Sequence, residues 1–243
     1  MPKYVRRNDL ETFVLVHGGW AGGWQWQKLS PVLIRGGHRV YAPTLTGLGE
    51  RKHLEVAGGI RLTTHIEDVA NTILYEDLTG ITLVGFSYGG MVATAIADRL
   101  SERVRNLVYL DAFVPRSGQS LFDLFGPGIT RSLTAAARDF SRGSKVPYFE
   151  SDDDRLEDQP ILTGRENLFF HEDRIKAFGP VYIECTEKSP EWTFTPILQG
   201  IAREAQRRGW RILRIESDHF PMVRMPERLA EALLSAVEEG GKV

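Results

Sequence analysis

Six short runs of apolar, often β-branched residues recur along this chain: Thr12–His17, Arg39–Ala42, Ile81–Phe86, Val104–Leu110, Val181–Cys185 and Arg211–Ile215. Between and after them lie segments of helical character: Trp24–Gly36, Thr64–Leu78, Tyr88–Leu100, Phe194–Arg208 and Pro226–Val237. In Thr64–Leu78 the apolar residues Ile66, Val69, Ile73 and Leu74 fall on one helical face. Strands that alternate with helices predict an α/β fold, a mostly parallel sheet flanked by helices.

The alternation fails once. From Phe113 to Gly179 the pattern is irregular and aromatic, with Phe113, Phe122, Phe125, Phe140, Tyr148, Phe149, Phe169, Phe170 and Phe178. This reads as an insertion carried on the sheet. The division is then a core of residues 1–112 and 180–243 and an insertion of residues 113–179. The acidic run Asp152-Asp153-Asp154 within it reads as a solvated turn. Thr44–Gly59, rich in glycine and charge, reads as a loop.

Composition narrows the functional classes. At 243 residues, 42% of them hydrophobic, the chain can bury a substantial core. A formal net charge of −2 gives no reason to expect a nucleic acid or an acidic membrane surface as partner. The single cysteine, Cys185, rules out an intrachain disulfide. The first residues, Met1 to Asp9, are basic but lack the apolar stretch of a secretory signal. No apolar run approaches the roughly 18 residues of a membrane span. These features set the expectation of a cytoplasmic protein. Without clustered His and Cys ligands or a phosphate loop, no metal or cofactor is expected.

The chemistry concentrates at Gly85-Phe86-Ser87-Tyr88-Gly89, a G-x-S-x-G sequence between a buried strand and a helix. A serine at so sharp a turn sits in strained backbone, and small residues on either side let strand and helix approach closely. Its hydroxyl then stands exposed as a nucleophile. Such a hydroxyl needs a base. His219, in Ser217-Asp218-His219-Phe220-Pro221, follows the last strand, where loops at the carboxyl ends of parallel strands converge on one crevice. His38, His53, His65 and His171 are less well placed. His17 suits hydrogen bonding within its own loop. An oxyanion would need N–H donors. The Tyr88 amide is one candidate. Gly19, with Trp20 beside it, supplies the other from the loop after the first strand.

These pieces resemble the α/β-hydrolase superfamily over nearly the whole chain. The resemblance is carried by FVLVHGGWAGGWQW (Phe13–Trp26), GFSYGG (Gly85–Gly90) and DHFPMVRMPERLAEAL (Asp218–Leu233). Within the superfamily the chain looks most like plant methylesterases, hydroxynitrile lyases and their bacterial esterase relatives. The resemblance implies a cap over the crevice, Trp20, Phe113 and Phe220 against the substrate, and hydrolysis of a small ester without metal or cofactor. A homodimer is compatible with it.

The third triad member departs from the branch's pattern. That branch places an Asp after the strand that follows the cap, whereas Cys185-Thr186-Glu187-Lys188-Ser189-Pro190-Glu191 contains none. Asp111 is one candidate, because related dehalogenases carry their acid at the corresponding strand end. Glu187 and Glu191 are the others. Two further functional readings stay open. A hydroxynitrile lyase would resemble this chain but carry Thr and Lys where Gly18 and Phe220 stand. A receptor-like relative would retain the triad and hold its ligand with slow turnover.

Overall fold

The computed structural model describes residues 10–148 and 153–238. Phe149, Asp152 and the amino-terminal Met1–Asp9 lie outside the described residues. The first half of the core comprises β1 (Thr12–Val16), α1 (Leu29–Arg35), β2 (Arg39–Tyr41), α2 (Leu62–Tyr75), β3 (Ile81–Phe86), α3 (Gly89–Arg99) and β4 (Val104–Leu110). Next come α4 (Leu121–Ser141), β5 (Lys145–Val146), β6 (Gln159–Pro160), α5 (Leu162–Arg165) and α6 (Glu172–Ala177). The chain then returns through β7 (Val181–Cys185), α7 (Thr195–Arg207), β8 (Arg211–Ile215), α8 (Pro221–Arg224) and α9 (Pro226–Glu238).

Six strands form one parallel sheet in the order β2-β1-β3-β4-β7-β8. Alternate side chains serve opposite faces, as strand geometry requires. Phe13, Leu15, Val84 and Phe86 pack with Leu29 and Leu33 of α1 and with Leu229 and Leu233 of α9. Val14, Val16 and Leu83 pack with α2 and α3 through Ile66, Val69, Met91 and Val92. Both faces are covered, which is why these strands are almost wholly apolar.

From β1 the chain moves outward to β2, then crosses back to β3 and builds the sheet on the other side. The gap between the ends of β1 and β3 is therefore the topological switch point, where open α/β sheets form their ligand crevice.

Two stretches differ from the sequence expectation. Trp24–Gly36 is not one helix: Gly23–Trp26 forms a 3₁₀ turn and α1 begins only at Leu29. Pro31 explains the break. It has no N–H and its ring would clash with the carbonyl four residues back, so it is tolerated only in a first turn. The other stretch is the insertion, which contains a 21-residue helix, α4. Ser120 caps it, accepting from the Asp123 N–H while the Asp123 carboxylate accepts from the Ser120 N–H. At Gly126 the backbone leaves helical geometry (φ 76°, ψ 171°), followed directly by Pro127. That kink breaks the apolar period and hides the helix from a sequence reading. Within the acidic run, Asp153 pairs with Arg155 at 2.7 Å and Asp154 is exposed.

Candidate active site

Ser87 follows β3 directly, with φ of +52°, a left-handed conformation uncommon outside glycine. The flanking glycines explain how this turn is reached. A Cβ on Gly85 would lie 2.7 Å from both the Ala93 Cβ and the Gly89 carbonyl oxygen. A Cβ on Gly89 would lie 2.6 Å from the Val16 carbonyl oxygen. Strand, turn and helix can meet only because both positions lack side chains. The Ser87 N–H donates to the Leu110 carbonyl and its own carbonyl accepts from Phe113 N–H, so β4 holds the turn.

His219 lies four residues beyond β8 and is 5% exposed. Its ring sits between aromatic faces, with centroids 4.7 Å from Phe86 and 4.7 Å from Trp192. His219 Nδ1 is 2.7 Å from Asp111 Oδ2. A carboxylate can only accept, so Nδ1 carries the hydrogen and, in the neutral ring, Nε2 is left with a lone pair. Asp111 is wholly buried, has φ of +40°, and is anchored by its N–H donating to the Ile183 carbonyl. Its other oxygen, Oδ1, accepts from Lys188 Nζ at 2.8 Å and from the Cys185 N–H at 3.3 Å. Lys188 Nζ also donates to the Cys185 carbonyl. Glu187 and Glu191, the alternative acids from the sequence, are both exposed.

The loop after β1 is fixed from several sides. The Gly18 N–H donates to Gln25 Oε1 at 3.2 Å, and the Trp20 N–H donates to Gln159 Oε1 at 2.9 Å. The Trp20 carbonyl accepts from Glu157 N–H, and its indole N–H donates to the Val146 carbonyl. Gln159 is oriented in turn by donating to Thr163 Oγ1. The Gly19 and Tyr88 amides donate to no acceptor among the described residues. Trp20, like Ser87, has positive φ, at +59°.

Two buried histidines brace the surroundings, His17 at the loop after β1 and His65 between Thr46 and Tyr88. His17 Nε2 accepts the Leu45 N–H, so Nδ1 carries the hydrogen and donates to the Gly18 carbonyl at 2.7 Å. His65 donates from Nε2 to the Thr46 carbonyl and accepts the Tyr88 hydroxyl at Nδ1, 2.8 Å away. Burial pushes both imidazoles from 6.5 down to about 4, so both are neutral near pH 7. Burial raises the Cys185 thiol, and the Asp111 charge raises it further, so it is no nucleophile at neutral pH.

These elements surround a cavity of about 450 Å³, lined by Gly18, Gly19, Ser87 and His219 and walled by Trp20, Trp24, Phe86, Phe113, Tyr148, Trp192, Phe194 and Phe220. Asp153, Arg155 and Arg224 line it too, the Arg155 guanidinium 4.1 Å from the Trp24 ring centroid. Ser87, Gly19, Trp20, Phe113 and Phe220 of the sequence reading thus share one cavity with His219, and Asp111 stands behind the imidazole. The Tyr88 side chain points away, towards His65. Lys188, Gln159 and Trp192 escaped the sequence reading, since no motif marks them. Among the described residues no cluster of three His, Cys, Asp or Glu side chains could hold a metal ion.

A parallel sheet with a strained serine at its switch point, lining one cavity with a carboxylate-bound histidine, defines a class, and the chain belongs to it: residues 13–232 match the alpha/beta hydrolase family. It is 36% identical to a carbendazim hydrolyzing esterase of Nocardioides sp. (strain SG-4G), covering 92% of this chain and 98% of that protein. It is 27% identical to salicylic acid-binding protein 2 of Nicotiana tabacum over 91% of this chain and 95% of that one. Among solved structures, an extracellular alpha/beta-hydrolase from a Paenibacillus species superposes with a TM-score of 0.78 at 25% identity, covering 94% of this chain and all of that one.

Proposed function

We propose that this protein hydrolyses small carboxylic esters through an acyl-enzyme formed on Ser87. The observation that carries the reading is the buried His219–Asp111 hydrogen bond at the cavity that Ser87 lines. In this mechanism His219 Nε2 takes the Ser87 proton as Oγ attacks the carbonyl carbon. Asp111 fixes the tautomer and stabilises the imidazolium. The Gly19 and Tyr88 amides receive the oxyanion, a role supported by their lack of a protein acceptor. The imidazolium protonates the leaving alcohol, and His219 then activates water to release the acid.

The aromatic walls favour a substrate with a flat apolar group, in the range of aryl esters, carbamates or lactones. A cap role for residues 113–179 is supported by their contribution of Tyr148, Arg155 and Leu156 to the cavity. Phe220 adjoins His219 where a lyase would need a cation, which supports hydrolysis over cyanohydrin cleavage.

The test is turnover of p-nitrophenyl esters of graded acyl length by the native chain and by Ser87→Ala, with a serine-reactive phosphonate as label. Activity and labelling should both vanish in the variant. Labelling without turnover would move the reading towards a narrow substrate or a receptor-like binder, and no labelling at all would overturn it.

A further inference from the structure

The ammonium of Lys188 is the least expected group beside this site. Its side chain is 2% exposed and meets a carboxylate that is fully buried. Removing an ammonium from water is costly, so a buried lysine persists only where charge and hydrogen bonds compensate it. Both compensating partners lie at strand ends: Asp111 Oδ1 after β4 and the Cys185 carbonyl at the end of β7. The two oxygens of Asp111 are thereby divided. Oδ1 takes Lys188 and the Cys185 N–H, and Oδ2 takes His219. A carboxylate held at one oxygen by a fixed cation has one orientation to offer the imidazole.

Charge gives a second consequence. Lys188, Asp111 and His219 form a connected chain of ammonium, carboxylate and imidazole. With Lys188 in place the buried carboxylate is already paired with a fixed positive charge when His219 is uncharged. Other titratable groups facing this cluster do not duplicate that charge. The Tyr182 hydroxyl donates to the Ala112 carbonyl and is raised first by burial, then by Asp111. Cys185 is a neutral thiol, as above. Glu184 pairs with Arg214. The Asp218 carboxylate accepts from Phe220 N–H and from Arg224. Of the described residues, Lys188 is the cationic side chain in direct contact with Asp111 besides the histidine itself.

We infer that Lys188 is a positioning residue of the catalytic pair: its buried ammonium occupies Oδ1, fixes the Asp111 carboxylate with Oδ2 towards His219, and balances the carboxylate's charge. The inference rests on the Ser87–His219–Asp111 reading given above for its bearing on catalysis, but its electrostatic part stands on the cluster itself.

The experiment compares native protein with Lys188→Met, which removes charge and donor, and Lys188→Gln, which removes the charge and retains a donor. Two readouts are taken: the pH profile of kcat/KM on a p-nitrophenyl ester, and the NMR titration of the His219 ring, which needs no substrate. Loss of a positive charge makes every proton in the cluster bind more tightly. The acid limb of the profile and the His219 titration should therefore both move up, by about one pH unit, in both variants. Plateau kcat should fall about 10-fold in Lys188→Met and less in Lys188→Gln, with Ser87 still labelled by the phosphonate. An NMR shift in a protein with neither esterase turnover nor Ser87 labelling would support the charge role and sink the esterase reading instead. Superimposable titrations in native and variant chains would overturn the inference, whatever happened to kcat. Failure of both variants to fold would also overturn it, placing Lys188 in the scaffold alone.

Discussion

His219 and Asp111 stand 108 residues apart in the chain, yet Nδ1 of one lies 2.7 Å from Oδ2 of the other, both buried. The bond joins the loop after β8 to the end of β4, across the intervening strand β7. Asp111→Asn keeps the shape of the side chain but can present an amide donor to Nδ1, which favours the wrong tautomer. Its kcat should fall about 10²-fold or more, by analogy with the serine-protease triad. Glu187→Gln and Glu191→Gln, at exposed positions, should stay within about twofold of native. Steady-state kinetics on one ester decides this, and a large loss at either glutamate would remove Asp111 from the role.

Gln159 reaches from β6 to the loop that carries Gly19, accepting from Trp20 N–H at 2.9 Å. Gln159→Leu removes that acceptor and loosens the loop, so that the neighbouring Gly19 amide is free to turn. An oxyanion donor that wanders costs transition-state binding more than ground-state binding, so kcat should drop about 10-fold with KM little changed. A rise in KM at constant kcat would show that Gln159 shapes the cavity wall instead.

Stability should fall as the solution is acidified from about pH 6.5 towards pH 4. His17 and His65 both have a folded-state pKa lowered to about 4 from 6.5. The unfolded chain therefore binds protons in this window that the folded chain refuses. Their contribution is complete above pH 6.5, is lost as the pH falls, and levels off below about 4. The loss per histidine could reach roughly 3 kcal/mol. Chemical denaturation at several pH values measures it. In His65→Gln the slope over this window should shrink, and an unchanged slope would exclude His65 as a contributor.

Gly85→Ala would set a methyl group 2.7 Å from the Ala93 Cβ and the Gly89 carbonyl oxygen, where no atom fits without movement. The strand-to-helix turn would have to open and Ser87 would be displaced. Loss of Ser87 labelling, with a thermal midpoint lowered by several degrees, is the expected result. Native labelling rates at native stability would show that the turn has slack.

The sheet is legible because its central strands β1 and β3 are buried on both faces and so carry continuous apolar runs, while the edge strands β2 and β8 are only partly buried; all six expected strands lie within a residue or two of their observed limits. The strained turn was legible because sterics demand glycine on both sides of Ser87. Helix α4 was not, since the Gly126-Pro127 kink interrupts the period that would betray it. The sequence alone thus determined the fold class and the chemistry on offer, for those depend on local pattern and on residue type. It could not choose between Asp111, Glu187 and Glu191, bury Lys188 beside the first, or bring Gln159 to Trp20. Those contacts span 77 to 139 residues and exist only where strand order and crossover direction bring distant chain ends together. Which carboxylate is desolvated, and by what it is neutralised, follows from that tertiary arrangement.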